Sequence, residues 1–570
     1  MRRQEGLSTA VRVARRLLAV AAASAVGLAL PTSAQGEQMP AHSAAHFRDS
    51  IGVNTHATYY DTAYGDWPRV VDKLDELGIT HLRDGAFANP EWGEWNERFY
   101  RAVELAGARG LRFTLGMGEP NFAGGTLDQL IGAVGGRLRN AVAALEGPNE
   151  YDLYHAGPNW DDELREYQRE LYAKAKANAV LRSLPVLAPS LVFPESDPQL
   201  GRLDDALDVG NVHPYTGGDQ PSPGHVKHQA DEARRVSGSK PMFATEAGYH
   251  NALAATHGQP PVSESVGASY LLRLYLEHFR GGIVRTYAYE AIDEKLDLGL
   301  VEPESHFGLL RNDFSEKPAF TALQRMLQLI GRPEPLAPSS LTIGLGGDTT
   351  HVQSLLLRKS ERRYTLALWQ FQSEWDLKLR RPQFPPEREV RISLPFEATV
   401  NVARPARSGE TTFRGQQRDF TIGAPADPLL IDLEFPAGAK LPAAEAPDPA
   451  SAVPTIACPP LAKGGGLVRE KRRARSRMKS LGSRSRAVRF EFCSTAGGRA
   501  VMELRGARGR LLARHKLRVS GGKPVKREVR WTRRSARGLA KGGTVLARVR
   551  YRQSGSKKEV VLAGRVRVSR

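Results

Sequence analysis

The sequence predicts an α/β chain: a (β/α)8 TIM barrel, then a β-sandwich domain, then a small basic all-β domain. Three observations predict it. Eight short apolar runs alternate with amphipathic segments over residues 51–330. After Ile330 the texture changes to short alternating runs separated by turn residues. The last 120 residues, 451–570, hold 34 Lys+Arg against 5 Asp+Glu. A chain of 570 residues is too long for one core, which fits this division.

The elements follow in order. Basic residues up to Arg16 precede an apolar run, Leu17 to Leu30, which small residues end at Ser33-Ala34. This reads as a signal peptide over 1–34, so the rest of the chain is expected outside the cell. The run is too short for a membrane span, and no later stretch is long enough. The barrel is assigned to 35–330. Its strand-like runs are "IGVN" (51–54), "ITHLR" (79–83), "LRFTLG" (111–116), "AVAALEG" (141–147), "LPVLA" (184–188), "LDVGNV" (207–212), "KPMFAT" (240–245) and "GIVRTYAY" (282–289). The segments between them read as helices. "DWPRVVDKLDELG" puts Val70, Val71, Leu74 and Leu77 on one face and stops at Gly78. "ASYLLRLYLEHFRGG" has the same form before the eighth run. A doubly wound sheet would carry a glycine-rich phosphate turn after its first strand, and "IGVNTHATYYD" has none.

Past the linker "GRPEPLAPSS", six runs from "LTIGLGG" to "LLIDLEF" predict a β-sandwich over 340–436. A Pro/Ala-rich linker, 437–454, leads to the basic all-β domain, 455–570, which opens on "REKRRARSRMKS" and continues in six alternating strands. Its surroundings carry a net +29, so residues 1–450 carry −10 of the total +19. Such a basic segment would bind polyanions. In an exported protein no nucleic acid is expected, and an anionic cell-wall polymer or acidic polysaccharide fits better. Spread over every strand, the arginines also suit a role in solubility alone. The two cysteines, Cys458 and Cys493, are expected to form one disulfide outside the cell, and they cannot build a zinc site.

On a parallel barrel, chemistry sits at the C-terminal ends of the strands. Glu150, in "EGPNEYD", follows the fourth run, and Glu246, in "ATEAGYH", ends the seventh. Two carboxyl groups facing each other across a barrel mouth are what a retaining glycosidase needs, about 5–5.5 Å apart. These residues reach a resemblance. "PNEYD" (148–152) resembles the Asn-Glu motif after strand four of the clan A glycoside hydrolases, and "TEAGYH" (245–250) their strand-seven nucleophile motif. "RDG" (83–85) is similar to their strand-two arginine, "HPY" (213–215) to their strand-six His-x-Tyr, and "HFGLLRNDFSEKPAF" (306–320) to their final helix entry.

The resemblance implies roles. Glu150 would be general acid and then base, and Glu246 the nucleophile. Arg83 would hold Glu246 ionised and Tyr215 would donate to it. Asn149 would bond the sugar 2-hydroxyl, and His213 would bracket the nucleophile side. The clan's strand-eight tryptophan is missing from "RTYAYEAIDE", so Tyr287 or Tyr289 would have to serve as sugar platform. His56, after the first run, would reach a sugar hydroxyl.

Absent motifs narrow the field. There is no G-x-S-x-G, no H-E-x-x-H and no G-x-x-x-x-G-K-[ST], which removes serine-hydrolase, zinc-protease and P-loop readings. No metal and no cofactor is expected. The expectation is a secreted or wall-associated retaining glycoside hydrolase acting on a carbohydrate. The alternative is a non-catalytic exported binding protein built on a degenerate barrel.

Overall fold

The computed structural model describes residues 37–155 and 157–441 throughout, and beyond them seven strands between Met478 and Arg567. The expected signal peptide over 1–34, the greater part of the linker 437–454 and the expected Cys458–Cys493 pairing lie outside the described residues.

In chain order the first part comprises β1 (Glu37–Ser43), α1 (Ala44–Asp49), β2 (Ile51–Asn54), α2 (Trp67–Leu77), β3 (His81–Gly85), α3 (Gly93–Ala108), β4 (Arg112–Gly116), α4 (Leu127–Gly135) and β5 (Val142–Glu146). Then come α5 (Tyr151–Tyr154), α6 (Trp160–Ala177), α7 (Ser196–Leu200), β6 (Gly210–Val212), α8 (Pro223–Ser237), β7 (Met242–Ala247), α9 (Glu264–Arg280), β8 (Ile283–Ala288) and α10 (Pro318–Ile330). One parallel sheet runs β5-β4-β3-β2-β8-β7-β6. Every residue of β2 and of β7 is buried, as expected of parallel strands covered on both faces.

The fifth sequence run does not form a full strand. Between β5 and β6 it contributes two parallel bridges, Leu145 to Val186 and Leu187 to Val209. Leu187 N donates to Leu145 O at 2.7 Å and Ala188 N to Val209 O at 2.8 Å, so the run still closes the ring. Its brevity follows from Pro185 and Pro189, which lack the N–H a ladder needs.

The helices obey their sequence period where they face solvent. α2 buries Trp67, Val70, Val71, Leu74 and Leu77, and ends on Gly78 at φ 82°, a left-handed cap that glycine accepts freely. α9 differs: Val266 to His278 are all buried, because a second domain covers the face that would otherwise meet water. Across that junction Trp369 Nε1 donates to Glu277 Oε1 at 2.9 Å and Arg273 Nη1 to the Gln372 carbonyl at 2.9 Å, while Ser269 hydrogen-bonds Glu374.

The second domain contains β9 (Ser339–Gly347), β10 (Val352–Arg358), β11 (Arg363–Gln370), the hairpin β12 (Trp375–Asp376) and β13 (Arg381–Pro382), β14 (Arg388–Ala403), β15 (Thr411–Ala424) and β16 (Leu429–Glu434). β14 is long and irregular between Ser393 and Ala398. One half pairs with β9 and the other with β16, so the order β14-β16-β11-β10-β1-β9 returns to β14 and closes. The region predicted as a β-sandwich is thus a sheet that closes on itself. Two further differences have physical causes. β1 precedes the barrel yet pairs with β9 and β10, so residues 37–43 belong to the second domain rather than to the barrel. β15 escapes sequence detection because its first half is largely exposed and polar, leaving no apolar alternation to read.

The C-terminal strands form two antiparallel sheets, one of Met478–Leu481, Ser485–Phe492 and Val525–Thr532, the other of Gly498–Arg505, Leu511–Val519, Thr544–Gln553 and Glu559–Arg567. The six predicted strands coincide with six of these, and the seventh lies in the end of the basic run. Among the described residues no helix is long and apolar enough to cross a membrane.

Candidate active site

The site is built on Arg83, which points from β3 into the mouth of the barrel. Its Nε and Nη2 bond Glu146 Oε2 and Oε1 at 2.9 and 3.0 Å. Nη1 donates to Asn54 Oδ1 at 3.2 Å and to Glu246 Oε1, and Nη2 also reaches Asn149 Oδ1 at 2.5 Å. Every guanidinium donor is therefore engaged. Burial would lower its proton affinity, but Glu146 and Glu246 outweigh that and push it well above the usual arginine range. Glu146, the last residue of β5, is fully buried and also accepts from Asn211 Nδ2 at 2.9 Å and Thr245 Oγ1 at 2.8 Å. It is the two-pronged partner of Arg83.

Glu246, next to last in β7, has a second donor in place: Tyr215 Oη at 2.8 Å from Oε2. Burial alone would raise its pKa. His213, Arg83 and Tyr215 overcome that and hold the carboxylate below the ordinary glutamate range.

Glu150 sits just past β5 at φ 45° and ψ 41°, a left-handed backbone that costs a non-glycine residue about 1–3 kcal/mol and is found at functional sites. Its N–H is tied to Ser190 Oγ at 3.0 Å. Gly147 permits the approach, since a Cβ there would lie 2.7 Å from Pro189 N. Oxygens of Glu150 and Glu246 and a nitrogen of His213 all lie within 4.8 Å of one another.

His213 faces both acids: Nδ1 lies 2.7 Å from Glu150 Oε1 and 3.7 Å from Glu246 Oε2. The sequence reading gave it to the nucleophile side, whereas its hydrogen bond goes to Glu150. On its far side Nε2 is 2.9 Å from Thr245 Oγ1. The Thr245 hydroxyl points its single proton at Glu146 Oε1 or Asn211 Oδ1, so it accepts from Nε2–H. Nδ1 and Glu150 then share one further proton. Burial lowers the proton affinity of His213, but Glu246 and Glu150 raise it overall.

The structure thus brings Arg83, Asn149, Glu150, His213, Tyr215 and Glu246 together. Asn149 spends its carbonyl on Arg83 and keeps its Nδ2 free of hydrogen bonds among the described residues. Tyr287 is corrected. It is fully buried, bonded to Thr114 Oγ1 at 2.6 Å and packed with Ala144, Leu187, Val209 and Phe243, because that position of β8 points into the barrel. Tyr289, beyond the strand end, reaches the mouth instead, 5.3 Å from the Phe307 ring. His56 lies at the mouth, stacked 4.4 Å from Tyr59, with Nε2 3.4 Å from Glu290. Sequence reasoning missed Glu146, Asn211, Thr245 and Glu290. Its one available signal was a glutamate closing the apolar run "AVAALEG", a charge with no reason to be there unless paired.

Two groups of side chains among the described residues have the spacing to hold a metal ion: Glu150, His213 and Glu246, and His56, Glu290 and Glu294. In the first, Arg83 already supplies the positive charge.

Solved structures that this chain resembles include glycoside hydrolases. They include a monomeric β-xylosidase from Caulobacter crescentus CB15, 16% identical with a TM-score of 0.45, covering 71% of this chain and 98% of that one. A GH5_18 protein from Streptomyces cattleya in complex with GlcNAc is 16% identical with a TM-score of 0.38, over 52% of this chain and 83% of that one. A β-glucuronidase from Parabacteroides merdae is 12% identical with a TM-score of 0.36, over 91% and 63%. No family model and no curated protein matches. At these values the chemistry has to be read from the site itself.

Proposed function

We propose that the protein is a retaining glycoside hydrolase that works by double displacement. One observation carries this reading: two glutamates on facing strand ends, Glu150 and Glu246, with carboxylate oxygens within 4.8 Å. That closeness suits the short carboxyl separation of a retaining enzyme better than the longer one that accommodates a water in an inverting enzyme. Glu246, kept ionised by Arg83 and Tyr215, attacks the anomeric carbon while Glu150 passes a proton to the departing oxygen. The glycosyl ester cancels the Glu246 charge, so Glu150 and His213 lose proton affinity together. Glu150 then takes a proton from water, which displaces Glu246. Asn149 Nδ2 is placed to donate to a sugar hydroxyl, a bond that strengthens as the oxocarbenium ion develops. A binding-only barrel has no need of the pair.

The test is stereochemical. Proton NMR of an aryl β-glycoside during hydrolysis should show the β-anomer of the sugar first, with the α-anomer appearing only by mutarotation. An α-anomer formed first would remove the retaining mechanism.

The pH profile carries a second expectation. The acid limb of kcat/KM reports the free nucleophile, which must be ionised. Because Glu246 is held below the ordinary value of 4.5, the rate should stay flat as pH falls to 4.5 and drop only below it. Tyr215→Phe removes one donor from the ionised form, so its limb should move up by about one pH unit. An unmoved limb would mean that Tyr215 does not stabilise the nucleophile.

The basic stretch to Arg16 and the apolar run from Leu17 to Leu30 support export, which cell fractionation would check. The net +29 of residues 451–570 supports attachment to an anionic wall polymer, and attachment unaffected by salt would count against it.

A further inference from the structure

The second domain sends an arm to the loops of the barrel. Its hairpin β12–β13 stands outside the closed sheet and pairs only with itself. Trp375, at its start, is buried in the cluster of side chains that forms the barrel core. The turn is held firmly. Asp376 Oδ1 accepts from Lys378 N at 3.1 Å and Leu379 N at 2.9 Å, and Gln383 Nε2 donates to the Trp375 carbonyl at 2.7 Å. Arg380 closes the turn at φ 48°, a left-handed backbone that glycine would adopt more easily. Its side chain accounts for the arginine: Nη1 donates to the Leu253 carbonyl at 2.6 Å.

Two barrel loops meet this arm. Leu253 and Pro260 lie in the loop that follows Glu246, and Gly218 lies in the loop that carries His213 and Tyr215. Gly218 is packed so closely that a Cβ on it would collide with Leu377 Cδ2 and lie 3.2 Å from the Pro260 carbonyl. The Tyr215 loop, "HPYTGGDQ", needs such outside support, because two successive glycines leave its backbone freedom to lose. A second route reaches the same loop. Glu374 N donates to Tyr270 Oη at 2.9 Å, and Ser373 Oγ lies 3.0 Å from that oxygen. The Tyr270 ring packs 5.4 Å from Tyr249, whose Oη is 2.8 Å from Thr216 Oγ1, next to Tyr215.

Both routes start within residues 373–380 and end beside Tyr215, which donates to Glu246 at 2.8 Å. We propose that the β12–β13 hairpin, through Leu377 and Arg380, is a positioning element for the nucleophile: it holds the Tyr215 loop so that Tyr215 keeps its hydrogen bond to Glu246. This rests on the glycosidase reading above. Burial alone would raise the proton affinity of Glu246, and His213, Arg83 and Tyr215 reverse that. A loop set free lengthens the Tyr215 bond, and Glu246 then gains proton affinity. The other titratable groups facing Glu246 are Arg83 from β3, Glu150 and Tyr154 after β5, His213 after β6, Tyr289 and Glu304 after β8, and His56 after β2. Leu377 remains 37% exposed, so its truncation removes little burial and should leave the fold intact.

The test uses the full chain with Leu377→Ala and Arg380→Ala combined. The acid limb of kcat/KM on an aryl glycoside should move up by about half a pH unit, part of the shift expected for Tyr215→Phe. Added to Tyr215→Phe, the alanine pair should leave the limb where that substitution put it, since the bond is already gone. Leu377→Met with Arg380→Lys keeps an apolar contact and a donor, and should keep the native limb. An unmoved limb in the alanine pair, an equal loss of rate at every pH, or a further shift on top of Tyr215→Phe would overturn the inference and leave the glycosidase reading standing. If no aryl glycoside is hydrolysed at all, the glycosidase reading has failed. The carboxyl ¹³C resonance of Glu246, identified by its absence from Glu246→Gln, is then titrated instead: a midpoint raised in the alanine pair sustains the positioning role, and an unchanged midpoint ends it.

Discussion

Glu246→Ala should lower kcat/KM on aryl glycosides by about 10⁴-fold or more. The size follows from what is removed: the atom that forms the covalent bond, and the charge around which Arg83 and Tyr215 are arranged. The alanine variant should still fold, because Arg83 retains its two-pronged pair with Glu146, at 2.9 and 3.0 Å. Azide added to this variant should enter the space left by the carboxylate and yield an α-glycosyl azide from a β-glycoside. Equal rates for the unsubstituted and Glu246→Ala chains would end the enzyme assignment and leave a carbohydrate- or wall-binding protein on a barrel scaffold.

Glu150→Ala should behave differently, and the difference separates the two roles. Substrates with poor leaving groups need a proton and should lose about 10³-fold or more in kcat/KM. Activated aryl glycosides leave without help, so for them the first step should be nearly intact and the ester should accumulate. Azide should then restore turnover and give a β-glycosyl azide, since it attacks the ester from the face that Glu150 occupied. An α-azide from this variant would exchange the two assignments. Removal of Glu150 also leaves His213 Nδ1 without its 2.7 Å partner, so the pH profile of the rescued variant should lose its alkaline limb.

The outline of the barrel was legible because parallel strands buried on both faces write themselves as uninterrupted apolar runs, and because α2 keeps a strict one-sided period. The pair Glu150 and Glu246 was legible because chemistry is confined to strand ends. Pairing across the molecule was not. β1 carries the apolar–polar texture of any edge segment, and nothing local says that it shares a sheet with strands about 300 positions later. Tyr287 and Tyr289 are alike in sequence and differ only in which side of the rim they face. Glu146 and Glu290 are ordinary glutamates until the fold removes their water. Residue type announced the reacting groups; which acids stay charged and which keep a proton was decided by neighbours more than sixty positions away, as Glu146 is from Arg83.

The chain starts a sheet with β1, leaves it to build the whole barrel, and returns to finish it with β9 and β10. During synthesis the opening strand therefore stays unpaired until the barrel has emerged, a long-range closure that slows folding and leaves an exposed edge for other chains to capture. Grafting the barrel alone onto another protein would cut both crossings and strip the cover from α9, so the two units have to be moved as one cassette.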